Sequence, residues 1–197
     1  MKKIYICAAL GLFFASCSTE EGTQESTREL RTVNVVNQAN WMDMIDTIDS
    51  ACTTSVYKTT EEMITYVENV AMANADFQKM NLKNYVTPTA SEVESILNDT
   101  EAVVLQGLNY NAATNYYLTQ MLVVRGPWAT DPMKDSNVSN RDRLLLDFLS
   151  RTWGPDDDWE WNKKKPIAFV KGYETSIAKA VVLSVLSEQA SKVEKVN

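Results

Sequence analysis

Apolar side chains recur at helical spacing through most of the chain, and strand-like alternation is nearly absent. Between Gln38 and Thr54, five apolar residues fall on one arc when successive residues are placed about 100° apart. These residues are Trp41, Met44, Ile45, Ile48 and Cys52. Half-buried strands require runs that alternate apolar and polar residues, and such runs are rare here. The sequence therefore predicts an all-α fold, a bundle of five or six helices.

Capping signals mark where several of the predicted helices begin. Three hydroxyl residues stand three positions before an acidic residue, which is the spacing of an N-terminal helix cap. They are Thr59 before Glu62, Thr89 before Glu92, and Ser139 before Asp142. The first opens a helix predicted from about 60 to 80, and the third opens one that ends at Gly154-Pro155. A break is predicted between 98 and 115, without a defined position.

The last predicted helix runs from Tyr173 to about Lys195. Its apolar face is broad and contains Ala178, Val181, Val182, Val185, Leu186 and Val193. A face of this width predicts a central helix with neighbours on more than one side. Just before it, Ile167 to Val170 fits either a short strand or the start of the same helix.

The N-terminus has the pattern of an export signal. Lys2 and Lys3 precede an apolar stretch from Ile4 to Phe14. That stretch is too short to span a bilayer, which needs about 20 residues. Phe14-Ala15-Ser16-Cys17 resembles the lipobox of bacterial lipoproteins, although the usual Leu three residues before the Cys is replaced by Phe14. The resemblance implies cleavage after residue 16, acylation of Cys17 and anchoring in the outer membrane.

Residues 17–31 are predicted to be the lipidated Cys and a flexible polar spacer. A single helical domain is predicted over 32–197. Ser18-Thr19-Glu20-Glu21 resembles the surface-export signal of some outer-membrane lipoproteins, but any spacer behind a lipid anchor is polar. The sequence therefore does not decide whether the domain lies on the cell surface or on the periplasmic face of the outer membrane. The membrane is a predicted partner through the lipid anchor.

Composition excludes several classes of function. Removing residues 1–16 from the 197-residue chain leaves 181 residues, with 17 basic and 26 acidic side chains and a net charge of about −9. Nucleic-acid binding is therefore not expected. The chain has no histidine, which removes the His-dependent nucleophile arrangements and the common zinc ligand sets. Cys52, the one cysteine left besides Cys17, is predicted to be a buried apolar residue.

The segment from Trp153 to Asn162 is the most unusual in composition. Asp156, Asp158, Glu160 and Asn162 alternate as oxygen ligands do in a calcium loop. An EF-hand is excluded, because Trp161 occupies the sixth position and Ile167 the twelfth. Trp159 and Trp161, together with Asp156 and Asp158, are candidates for binding a partner or ligand, since Trp is enriched at binding hot spots. The alternative is a solvated acidic turn that its Trp residues pin to the core.

Three further features have a functional and a structural interpretation. Trp128 lies at the start of the other long loop, from about 125 to 140, and is a weaker candidate for partner or ligand binding. Asn74 falls in the apolar stripe of the second helix, where it would specify packing or line a pocket. Asp46-Thr47-Ile48 and Asp49-Ser50-Ala51 resemble a bacterial O-glycosylation pattern, although helix formation explains the same residues.

These observations favour a non-enzymatic lipoprotein that acts as an interaction module or accessory subunit of an envelope complex, with a protein partner. The alternative is a surface lipoprotein that binds a glycan or small molecule. Close carboxylates such as Glu61 and Glu62 fit stabilisation of helix starts better than catalysis. No catalytic residue, metal site or cofactor is predicted, and the oligomeric state is left open.

Overall fold

The computed structural model of the protein describes residues 39–99, 102–124, 126, 128–153, 164–190 and 193. Within these residues the fold is a helical bundle with no named strand, which confirms the predicted all-α class. The helices are α1 (Ala39–Cys52), α2 (Thr60–Ala73), α3 (Ala75–Gln78), α4 (Ala90–Leu97), α5 (Val103–Gln106), α6 (Ala112–Thr119), α7 (Asn140–Thr152), α8 (Lys164–Thr175) and α9 (Ile177–Gln189). A π-helix, Gln120–Val124, continues α6.

Helix α9 forms the centre of the bundle. It is buried along nearly its whole length, and it packs most extensively on α8. It also contacts α1, α2 and α4. The prediction of a central helix from the broad apolar face is therefore confirmed. Lys179 of α9 and Lys165 of α8 are buried and pair with carboxylates: Lys179 with Glu92 at 2.8 Å, and Lys165 with Glu188 of α9 at 3.4 Å.

A single residue, Ser176, separates α8 from α9. The backbone of Ser176 is extended, and its hydroxyl accepts a hydrogen bond from the N–H of Lys179 at 3.1 Å, so that it caps α9. The prediction of one helix from Tyr173 to Lys195 is therefore wrong. Ile167 to Val170 belongs to the earlier helix α8, and is neither a strand nor the start of the last helix.

The two central helices approach each other closely at Gly172. A Cβ atom at this position would lie 2.5 Å from the backbone nitrogen of Ala180 and 2.6 Å from the carbonyl carbon of Lys179. Real Cβ atoms do not approach backbone atoms this closely. The absence of a side chain at Gly172 therefore sets the separation of α8 and α9.

Aromatic rings from three helices meet in the core. Trp41 of α1 packs edge-on against Phe148 of α7, with ring centroids 5.1 Å apart. Phe148 in turn packs on Phe169 of α8 at 4.5 Å, and Tyr173 lies 6.1 Å from Phe169. Trp153, directly after α7, is partly buried and contacts the rings of Phe148 and Phe169. Because Trp41, Phe148, Phe169 and Tyr173 are buried, this cluster joins α1, α7 and α8.

Cys52, at the end of α1, is also buried, as predicted.

The three predicted caps are confirmed. The side-chain oxygens of Thr59, Thr89 and Ser139 accept hydrogen bonds from the N–H groups three residues later, at 3.2, 3.2 and 3.1 Å. These caps open α2, α4 and α7. Each is a local arrangement of four residues, which is why the sequence alone identifies it.

Asn74 ends a helix instead of lying inside one, so its predicted place in a stripe of a helix from 60 to 80 is wrong. Its backbone is extended, and α2 stops at Ala73. Its Oδ1 atom accepts from the N–H groups of Asp76 and Phe77 at 2.9 and 3.0 Å, and thereby caps the short helix α3. The side chain therefore caps α3 where the chain changes direction, and Phe77 enters the core.

Within the predicted break between 98 and 115, the described residues contain the short helix α5 and the start of α6. The carboxylate of Asp99 accepts from the N–H groups of Val103 and Val104, both at 2.8 Å, at the start of α5. Ala102 adopts a left-handed conformation with φ 57°. Asn111 then caps α6 by accepting from the N–H of Thr114 at 2.8 Å.

Candidate functional site

The surface around the end of α6 differs in composition from the rest of the described structure. Residues 112–124 contain no charged side chain, although the protein is acidic overall. Three large apolar side chains are exposed there: Tyr116 at 45 %, Val123 at 48 % and Val124 at 58 %. Tyr116 lies on α6, and Val123 and Val124 lie in the π-helix that continues it. We call Tyr116, Val123 and Val124 the π face.

The apolar run from Met121 to Val124, within the π-helix, is divided between core and solvent. A π turn contains more residues than an α turn, and side chains beyond it are rotated relative to an uninterrupted α-helix. Met121 and Leu122 are buried in the core, whereas Val123 and Val124 are exposed. The N–H of Gly126 donates to the carbonyl oxygen of Gln120 at 3.2 Å and closes the wide turn.

The π face rests on a buried tyrosine. The ring of Tyr117 lies 5.3 Å from that of Tyr116 and 5.9 Å from that of Trp128. Its hydroxyl forms hydrogen bonds with Thr130 at 2.8 Å and Asp135 at 3.0 Å. The indole N–H of Trp128 donates to the backbone carbonyl of Tyr117 at 3.2 Å. Through Tyr117, the loop after the π-helix is fixed directly to α6.

Asp135 provides the main polar anchor of that loop. The N–H of Asn137 donates to its carboxylate at 2.9 Å, and this bond, followed by the bond from Tyr117, holds the pKa of Asp135 below its usual range. Arg143 of α7 donates to the backbone carbonyl of Asp135 at 2.7 Å, while its Nε is buried with no hydrogen-bond partner. The loop is thus held at both α6 and α7.

A second buried polar contact joins the same two helices. The hydroxyl of Thr114 on α6 donates to the carboxylate of Asp142 on α7 at 3.0 Å, and both residues are buried. Asn111 also donates through its side-chain amide to the carbonyl of Asn137 at 2.9 Å. These bonds fix the orientation of α6 against α7. The π face is therefore presented by a rigid scaffold, which lowers the entropic cost of binding.

Of the predicted site residues, the structure describes only Trp128. Its side chain is partly buried, and its indole N–H is satisfied within the fold, so it supports the surface beside the π face. Cys17, Asp156, Asp158, Trp159 and Trp161 lie outside the described residues. Sequence reasoning did not single out Tyr116, Val123 or Val124, whose side chains are exposed. The lack of charged residues from 112 to 124 was the sequence feature that could have indicated this surface.

The residues of the O-glycosylation pattern lie on α1. Thr47 and Ser50 are exposed, and the Thr47 hydroxyl donates to the carbonyl of Asp43 at 2.6 Å. The carboxylate of Asp46 lies 3.6 Å from the Lys165 ammonium, and that of Asp49 accepts from the Gln189 amide at 2.5 Å. Packing contacts therefore account for both aspartates of the pattern.

Within the described ranges, no group of three or more Cys, Asp or Glu residues is arranged to hold a metal ion. Among the same residues, no helix combines the length and apolar character needed to cross a membrane. Comparisons of the chain with protein-family models, with curated proteins and with solved structures give no match.

Proposed function

We propose that the protein is a lipoprotein, anchored to the outer membrane through Cys17, whose helical domain is a non-enzymatic interaction module. The domain binds a partner protein through the π face. The observation that supports this proposal is the exposure of Tyr116, Val123 and Val124 on a charge-free segment that the rest of the fold holds rigidly. Exposed apolar side chains that cluster on a rigid surface are typical of protein-binding sites.

The composition of the π face favours a protein partner over a glycan. Sugar sites place polar groups around a stacking ring, whereas two of the three exposed side chains here are valines. Tyr116 adds an amphipathic ring of the kind enriched at protein interfaces. The Tyr117 hydroxyl and the Trp128 indole are both engaged within the fold. Contact with the partner is therefore mainly apolar.

The binding face is tested by photocrosslinking in intact membranes. A photoreactive amino acid replaces Val124 in the full-length chain, and the matched control carries it in place of Val86, which is 57 % exposed. We expect a discrete protein adduct at 124 that is absent at 86. Equal adducts at both positions, or none at 124, would contradict the assignment of the face.

The anchor is tested separately in Cys17→Ser. We expect this variant to lose metabolic labelling with a radioactive fatty acid and to leave the membrane fraction, because sulfur acylation requires the thiol. The control is Cys52→Ser, whose residue is buried in the core. Unchanged labelling of Cys17→Ser would refute the lipobox resemblance, whatever the crosslinking shows.

A further inference from the structure

We draw no further inference here: the strongest candidate, the π face at the end of α6, belongs to the site already described, and nothing in the described part of the chain shows which molecule covers it.

Discussion

At the scale of single residues, Gly172 controls the distance between the two central helices. Backbone atoms of α9 occupy the space that a side chain would need. Flexible side chains can move aside to admit a methyl group, but backbone in the first turn of a capped helix cannot do so without shifting the whole helix. Among Gly107, Gly126 and Gly172, Gly172 therefore has the least room for a side chain.

We predict that Gly172→Ala destabilises the protein by about 3 kcal/mol or more, at the upper end of the range for overpacked cores. The control is Gly107→Ala, because a Cβ there would approach nothing closer than the carbonyl oxygen of Val104 at 3.7 Å. Urea unfolding of the purified chain, followed by circular dichroism, measures both variants. Equal midpoints for Gly172→Ala and Gly107→Ala would show that α8 and α9 separate easily.

At the scale of secondary-structure elements, short polar side chains decide where helices end. Asn74 and Ser176 each occupy an extended residue between two helices and cap the second one. In both pairs, α2 with α3 and α8 with α9, the helical spacing of apolar residues continues across the interruption. Periodicity therefore does not reveal where the first helix ends. The bundle consequently has more and shorter helices than the periodicity predicts.

We predict that Asn74→Ala lowers the free energy of unfolding by about 1 kcal/mol, because the N–H groups of Asp76 and Phe77 lose their acceptor. Asn74→Asp keeps an oxygen at the same position and should cost less. The exposed Asn69, within α2, provides the control variant Asn69→Ala. Thermal unfolding followed by circular dichroism gives the comparison. A larger loss for Asn69→Ala than for Asn74→Ala would contradict the capping role.

What could be predicted from the sequence follows from the range of each interaction. The caps at Thr59, Thr89 and Ser139 depend on residues three positions apart, and all three were identified. The cap at Ser176 spans the same three positions, but its third residue is Lys179 and not an acidic residue, so the pattern that marks the other caps does not mark this one. The π face could not be identified for a different reason: periodicity shows that Val123 is apolar, but its exposure depends on residues distant in the sequence.

At the scale of the whole molecule, buried tyrosines link stability to alkaline pH. Burial raises the pKa of the Tyr57 phenol to about 12. Burial also raises the pKa of Tyr110, and burial followed by the hydrogen bond with Glu68 raises that of Tyr85. In an unfolded chain a tyrosine titrates near 10. The folded protein therefore keeps these protons at a pH where the unfolded chain has released them.

We predict that the stability from these tyrosines is fully present below about pH 10 and is lost as the pH rises towards 12 and beyond. Each tyrosine contributes a slope of about 1.4 kcal/mol per pH unit within its window. Tyr57→Phe should reduce the slope between pH 10 and 12 relative to the unaltered protein. Urea midpoints of both proteins measured from pH 8 to 12 test this. Identical slopes in the two proteins would exclude Tyr57 as a contributor.

The central position of α9 also governs when the chain can fold. α1, α2 and α4 precede α9 in the sequence, yet all three pack against it, and the bond between Asp49 and Gln189 joins residues 140 positions apart. Contacts this distant require the closure of long loops and slow the search for the native state. A nascent chain that ends before residue 177 therefore lacks the helix on which the others assemble. We propose that this chain is exported, and delayed folding would keep it unfolded while it passes through a translocation channel.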